Sequence, residues 1–215
     1  MSCFTALEEF INKYHQQHQQ LLNELPRYYP VGEFSPCIEG DYDGDKESYV
    51  HWNPVKKDDS SNFNNVESAL EMKLHQDIHD FYGKLYAAPI HFDSEFGEGE
   101  LIQAWSQDNF ELLQQNIIGH LMMKKKLKQS PTWFIGTIDH SDKMITVNNE
   151  DGSVWAEIPG EVQSEKMANS IEEFIRKLEV KPSIPDAPQH YVETIPEHPG
   201  ILNSLKRMWR NLTSK

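Results

Sequence analysis

Three consecutive segments late in the chain constrain its fold most. They are rich in β-branched and aromatic residues and occupy residues 132–138, 143–147 and 153–158. Short polar turns join them, the second of which ends in Asp151-Gly152. Strands with connections this short pair antiparallel, so the pattern predicts a β meander.

Other segments carry apolar residues at helical spacing. The predicted helices cover residues 4–22, 64–85, 108–128 and 167–178. Asp108, with Glu111 three residues later, is predicted to cap the third helix. Further short strands are expected at residues 49–53, 90–93 and 101–105. Because helices and strands occur in separate runs, we predict an α+β fold, with helices packed on an antiparallel sheet in a single domain.

The C-terminal segment differs in character. Residues 182–199 contain five prolines, which is typical of a linker. A short amphipathic stretch follows, with apolar Ile201, Leu202, Leu205, Met208, Trp209 and Leu212 among basic Lys206, Arg207 and Arg210. We therefore divide the chain into an α+β domain at 1–180 and a Pro-rich linker with a short basic helix at 181–215.

Charge is unevenly distributed along the chain. The formal net charge is −14, and residues 33–111 alone hold 18 acidic and 5 basic residues, a net of −13. Residues 181–215 instead carry a net charge of +2. An acidic field of this kind repels nucleic acid and anionic lipid and attracts basic partners. The alternative interpretation is that the charge serves solubility alone.

Two acidic turns are the candidate partner-binding sites. The first turn (residues 39–47) contributes Glu39, Asp41, Asp43, Asp45 and Glu47, and the second (residues 93–100) contributes Asp93, Glu95, Glu98 and Glu100. A solvated loop without a binding role is the alternative for each. The sequence does not establish whether the two turns share a face.

Signals for targeting or catalysis are weak. The first residues lack the pattern of an export signal, and no apolar stretch approaches the ~20 residues that span a bilayer. With only Cys3 and Cys37 as thiols, the chain fits a reducing compartment.

His75 and His79 have the spacing of zinc ligands, but Gln76 stands where a zinc protease has its glutamate. We predict no catalytic residue, metal site, cofactor or small-molecule substrate.

Several segments together resemble the Syd family. They lie at residues 35–38, 50–54, 65–70, 78–82, 103–106, 116–121, 126–128 and 131–135. The most specific is the neighbourhood of Ile118-Gly119-His120-Leu121. The resemblance extends over nearly all of residues 1–180, and the segment at 181–215 departs from the family pattern.

The resemblance implies a bacterial protein that binds the translocon subunit SecY. It would act as a quality-control or negative regulatory factor of translocation. It would be peripheral on the cytoplasmic side of the inner membrane through SecY, and also soluble in the cytoplasm. No catalytic residues are ascribed to the family. Cytoplasmic loops of membrane proteins are rich in Lys and Arg, to which the acidic turns are complementary.

Alternatives remain at this point. The superfamily also includes immunity proteins, so neutralisation of a basic toxin domain is the second hypothesis, and a zinc-dependent hydrolase is a remote third. The basic segment at 181–215 has three interpretations. It could dock on the acidic body and compete with SecY, lie on anionic membrane, or have no role.

Overall fold

The computed structural model describes residues 2–58, 62–139 and 141–187. Five helices lie in this part of the chain: α1 (Cys3–Leu22), α2 (Asn64–Leu70), α3 (Gln76–Tyr82), α4 (Gln107–Lys126) and α5 (Ile171–Lys177). Its twelve strands are β1 (Arg27–Tyr28), β2 (Ile38–Glu39), β3 (Val50–Trp52), β4 (Val55–Lys56), β5 (Leu85–Tyr86), β6 (Ile90–Asp93), β7 (Gly99–Leu101), β8 (Thr132–Ile138), β9 (Met144–Asn148), β10 (Val154–Glu157), β11 (Glu165–Ala168) and β12 (Glu179–Val180).

A seven-stranded antiparallel sheet organises the domain, in the order β11-β10-β9-β8-β7-β6-β12. Strands β8, β9 and β10 form the predicted meander, and the α+β class is confirmed. Gly99 allows β7 to approach β8 closely, because a Cβ there would collide with the carbonyl of Thr137 and the ring of Phe92. Two small sheets, β1-β3-β2 and β4-β5, complete the strand pairing of the described residues.

The helices cover the large sheet. Helix α1 packs against α5 and α3, while α4 packs against β8. The buried face of α1 carries Leu7, Phe10, Ile11 and Tyr14, which recur at helical spacing. Each large apolar side chain buried in this way stabilises the fold by about 1.5–3 kcal/mol.

The predicted helix at 64–85 is interrupted in the structure. Glu71 ends α2 in a left-handed conformation with φ 52°, and the carboxylate of Glu67 accepts the backbone N–H of Leu74 at 2.9 Å. A side chain that bonds the backbone in this way competes with helix continuation. The chain becomes helical again only at α3, and Leu85 belongs to β5.

Two predicted helix starts are also wrong. Helix α4 is capped by Ser106, whose hydroxyl accepts the N–H of Asn109 at 3.3 Å, rather than by Asp108. Helix α5 is capped by Ser170, so Met167 lies in β11 instead of on the helix. In both cases a serine hydroxyl reaches the N3 backbone N–H and fixes the first turn.

Residues 188–215, including the predicted basic helix, lie outside the described residues. The division of the chain at residue 180 therefore stays a prediction. Both cysteines are free thiols and both are buried. Within the described ranges, every helix is too short or too polar to cross a membrane.

Candidate functional site

The first acidic turn connects β2 to β3 and is held by its own side chains. Asp43 accepts the N–H of Asp45 at 3.0 Å. Asp45 in turn accepts the N–H of Glu47 at 3.1 Å and the hydroxyl of Ser48 at 2.5 Å. These bonds, chiefly that from Ser48, lower the pKa of the exposed Asp45 carboxyl, so it stays ionised. The turn therefore presents fixed negative charge to solvent.

The same turn folds back onto the residues that precede β2. The hydroxyl of Tyr42 accepts the N–H of Gly32 at 2.9 Å and donates to the carbonyl of Asp45 at 2.7 Å. The rings of Tyr42 and Phe34 lie 5.5 Å apart. Backbone and side-chain contacts together thus tie the turn to residues 32–34.

That supporting segment docks at the start of α4. The hydroxyl of Ser35 donates to the carbonyl of Trp105, and Asn109 donates to the carboxylate of Glu33 at 3.0 Å. The ring of Tyr28 lies 4.8 Å from that of Trp105. The first acidic turn is thereby connected to the chain that continues from the second.

The second acidic turn forms the tip of the β6–β7 hairpin. Asp93 and Glu95 are exposed there. Glu98 forms an ion pair with Lys181, the residue that follows β12. The hairpin tip therefore lies next to the point where the chain leaves the sheet toward its C-terminal segment.

Glu100 differs from the other eight candidate acids. It is half-buried on the sheet, paired across the strands with His91 and Thr137. Burial, and next the charge of Asp139, raise the pKa of Glu100 to about 7, while a hydrogen bond from Thr137 acts in the opposite direction. Glu100 is therefore a poor permanent anion near neutral pH.

The phenol of Tyr28 lies near both Glu33 and Glu100. Burial raises the pKa of its phenol, and the charges of Glu33 and then Glu100 raise it further. Two further acids were not predicted from the sequence, because neither belongs to the two turns: Asp139, whose charge acts on Glu100, and Glu33, which bonds Asn109. The only sequence signal for Glu33 was its place at the start of the acidic stretch.

The histidine pair does not form the arrangement its spacing suggested. His75 is the N-cap of α3, where Nδ1 accepts the N–H of Asp77 at 3.3 Å, so it is not on one helical face with His79. Nε2 of His79 lies 3.9 Å from the Glu67 carboxylate. Among the residues described, no three His, Cys, Asp or Glu side chains group as metal ligands would.

A separate cleft of about 480 Å³ lies between α2 and α4. Its walls are mainly side-chain amides that bond within the protein. Asn65 donates to Gln114 at 2.9 Å, and Gln114 donates to the carbonyl of Asn62 at 2.7 Å. These amides join α2 to α4, which is a structural role.

Comparison with known proteins agrees with the resemblance seen in the sequence. A family model described as Syd protein (SUKH-2) matches residues 4–180. Relatives named Protein Syd from Shewanella putrefaciens and Shewanella baltica are 54% and 53% identical over 217 residues. A third, from Shewanella frigidimarina, is 53% identical over 215 residues.

Each of these alignments covers 100% of this chain and 100% of the relative. The relatives therefore also carry a counterpart of residues 181–215, and the expectation that this segment departs from the family pattern is wrong for them. The family model and the full-length relatives lead to the same conclusion: the chain belongs to the Syd family.

Proposed function

We propose that this chain binds the translocon subunit SecY from the cytoplasmic side, as a quality-control or negative regulatory factor of protein translocation. Its acidic surface would contact the basic cytoplasmic loops of SecY, and binding would place it at the membrane as a peripheral protein. The role is one of binding, without catalysis, cofactor or small-molecule substrate. Membership of the Syd family supports the partner.

One observation supports the acidic surface: hydrogen bonds hold the first acidic turn, and residues 33–35 before it bond to Trp105 and to Asn109 at the start of α4. The bonds of Asp43 and Asp45 to the backbone fix the direction of the carboxylates before any partner arrives. Such preorganisation lowers the entropic cost of binding. A turn of this kind suits recognition better than a loosely solvated one.

The energetics require several acids together. An exposed ion pair contributes only about 0–1 kcal/mol, and salt screens it. Net charge of −13 over residues 33–111 supplies the number of charges needed. Charge complementarity of this type raises the association rate and selects basic partners more than it adds affinity per contact.

Binding of the purified chain to SecY in nanodiscs, measured across a salt series, tests the proposal. We expect binding at low salt that weakens steeply as salt rises. If the chain does not bind at low salt, the SecY assignment is wrong, and neutralisation of a basic toxin domain becomes the function to pursue.

A further inference from the structure

Two large aromatic side chains lie exposed on either side of the first acidic turn. Phe34 precedes the turn and is 65% exposed, and Tyr49 follows it and is 41% exposed. Single exposed apolar residues are common on protein surfaces. What distinguishes these two is their fixed position beside charged side chains or the first acidic turn.

Phe34 is held against the acidic turn itself. Its ring centre lies 5.5 Å from that of Tyr42, whose hydroxyl bonds the backbone of Gly32 before the turn and of Asp45 within it. A Cβ placed on Gly44 would lie 3.5 Å from the edge of the Phe34 ring. Gly44 stands between Asp43 and Asp45, so an aromatic ring open to solvent packs on the backbone that carries two acidic residues of the turn.

At Tyr49, an aromatic ring and a nearby carboxylate already hold an arginine of the chain itself. The guanidinium of Arg27 lies 4.4 Å from the centre of the Tyr49 ring. The same guanidinium donates to the carboxylate of Glu24 at 2.8 Å. One arginine of the chain thus lies over an aromatic ring and at the same time forms an ion pair with a neighbouring carboxylate.

We infer that Phe34, together with the carboxylates of the first acidic turn, receives an arginine side chain of the basic partner segment. The inference rests on the proposed function for the identity of that partner. Arginine fits better than lysine, because its planar guanidinium stacks on a ring while its N–H groups bond a carboxylate. The stacked contact also excludes water and is screened by salt less than the surrounding charges.

Two short peptides test the arginine preference without SecY. An oligoarginine and an oligolysine of equal length carry the same charge, so only the shape of the cation differs. We expect the full chain to bind oligoarginine roughly three- to tenfold more tightly. We expect Phe34→Leu, which keeps an apolar side chain but removes the ring, to lose that preference, whereas Phe34→Tyr keeps it.

Leu21→Ala provides the control. Leu21 is an apolar side chain that is 70% exposed, and it lies at the C-terminal end of α1, outside the first acidic turn. Unchanged thermal unfolding of each variant shows that the fold is intact. Equal affinity of the two peptides for the natural chain would overturn the inference. So would an arginine preference that survives in Phe34→Leu.

The same variants in SecY nanodiscs separate this inference from the proposed function. We expect Phe34→Leu to weaken SecY binding roughly three- to tenfold without changing its salt dependence. If the natural chain does not bind SecY but the peptide preference holds and needs Phe34, the proposed function fails and the arginine site stands. If SecY binds and Phe34→Leu has no effect on either ligand, only the arginine site fails.

Discussion

The ammonium group of Lys124 lies 3.0 Å from a carboxylate oxygen of Glu157, and both side chains are shielded from solvent. The second oxygen of Glu157 accepts the hydroxyls of Thr132 at 2.9 Å and Thr146 at 3.1 Å. Lys124 also donates to the carbonyl of Glu161 at 3.0 Å. A buried, hydrogen-bonded ion pair thus joins α4 to the meander.

Removing one partner of this pair should destabilise the fold strongly. We expect Lys124→Met to lower the free energy of unfolding by about 3–5 kcal/mol, because it leaves the Glu157 carboxylate buried without its counter-ion. Denaturant unfolding measures this. The neighbouring exposed Lys125→Met is the control and should change stability by less than about 0.5 kcal/mol. Similar stability of the two variants would contradict the structural role of the pair.

The ion pair of Lys124 could not be predicted from the sequence. A run of lysines at the end of a helix is typically solvated, and Lys125, Lys126 and Lys128 are indeed exposed. Lys124 falls on the same helical face as Ile117 and Leu121, so periodicity alone placed it inward. Its buried partner, Glu157, lies in β10, and apolar spacing within a helix does not reveal a contact so distant in the sequence.

Glu100 should make stability depend on pH. Its pKa in the fold, about 7, lies above the usual 4.5. The folded state therefore holds the proton more tightly, so this contribution is fully present below about pH 4.5 and is lost as pH rises through 7. Glu100→Gln keeps a neutral group, and we expect it to stabilise the chain at pH 8 by about 1–3 kcal/mol.

The measurement is the difference in unfolding free energy between the natural chain and Glu100→Gln from pH 4 to pH 8. Taking the difference isolates Glu100 from His91, whose pKa is lowered by burial. The exposed Glu95→Gln serves as control and should give a flat difference curve. A flat curve for Glu100→Gln would show that its carboxyl is not perturbed.

Replacing Glu71 with glycine at the C-cap of α2 should raise the stability of the fold. It adopts φ 52° at the C-cap of α2, a conformation that is unfavourable for a residue with a side chain. We expect Glu71→Gly to raise the free energy of unfolding by up to about 1 kcal/mol and Glu71→Ala not to do so. Thermal unfolding of the two variants tests this, and a stability gain for alanine equal to that for glycine would contradict the conformational explanation.

The basic C-terminal segment should compete with the partner. Lys181 already pairs with Glu98 where the chain leaves the sheet, so the segment starts beside the second acidic turn. We expect Lys206→Gln, Arg207→Gln and Arg210→Gln together to tighten SecY binding about two- to tenfold at low salt, since competing charge is removed. Weaker binding by this variant would favour a contact with anionic membrane instead.

The β meander and helix α1 were predicted closely, whereas the strand predicted at 101–105 is wrong except at Leu101, which ends β7. Segments rich in β-branched and aromatic residues marked the three meander strands to within one residue at each end. The predicted helix at 64–85 failed because Glu67 bonds Leu74, a contact that apolar spacing does not reveal. The acids of the two turns were visible in the sequence. Only the fold shows that Ser35 and Glu33 tie the first turn to Trp105 and Asn109, and that Glu100 is half-buried.

The central claim is that the charges of the two acidic turns bind SecY, and one comparison of variants tests it most directly. The test variant combines Asp41→Asn, Asp43→Asn and Glu95→Gln. The control combines Glu150→Gln, Glu161→Gln and Glu165→Gln, which lie in or beside strands β9 to β11, toward the other edge of the sheet from the β6–β7 hairpin. Both remove three exposed charges, and Asp43→Asn keeps the oxygen that accepts Asp45. We expect the test variant to bind SecY nanodiscs roughly tenfold or more weakly at low salt, with a shallower salt dependence, and the control to bind almost as the natural chain does. Equal affinities for the two variants would contradict the acidic-turn interface.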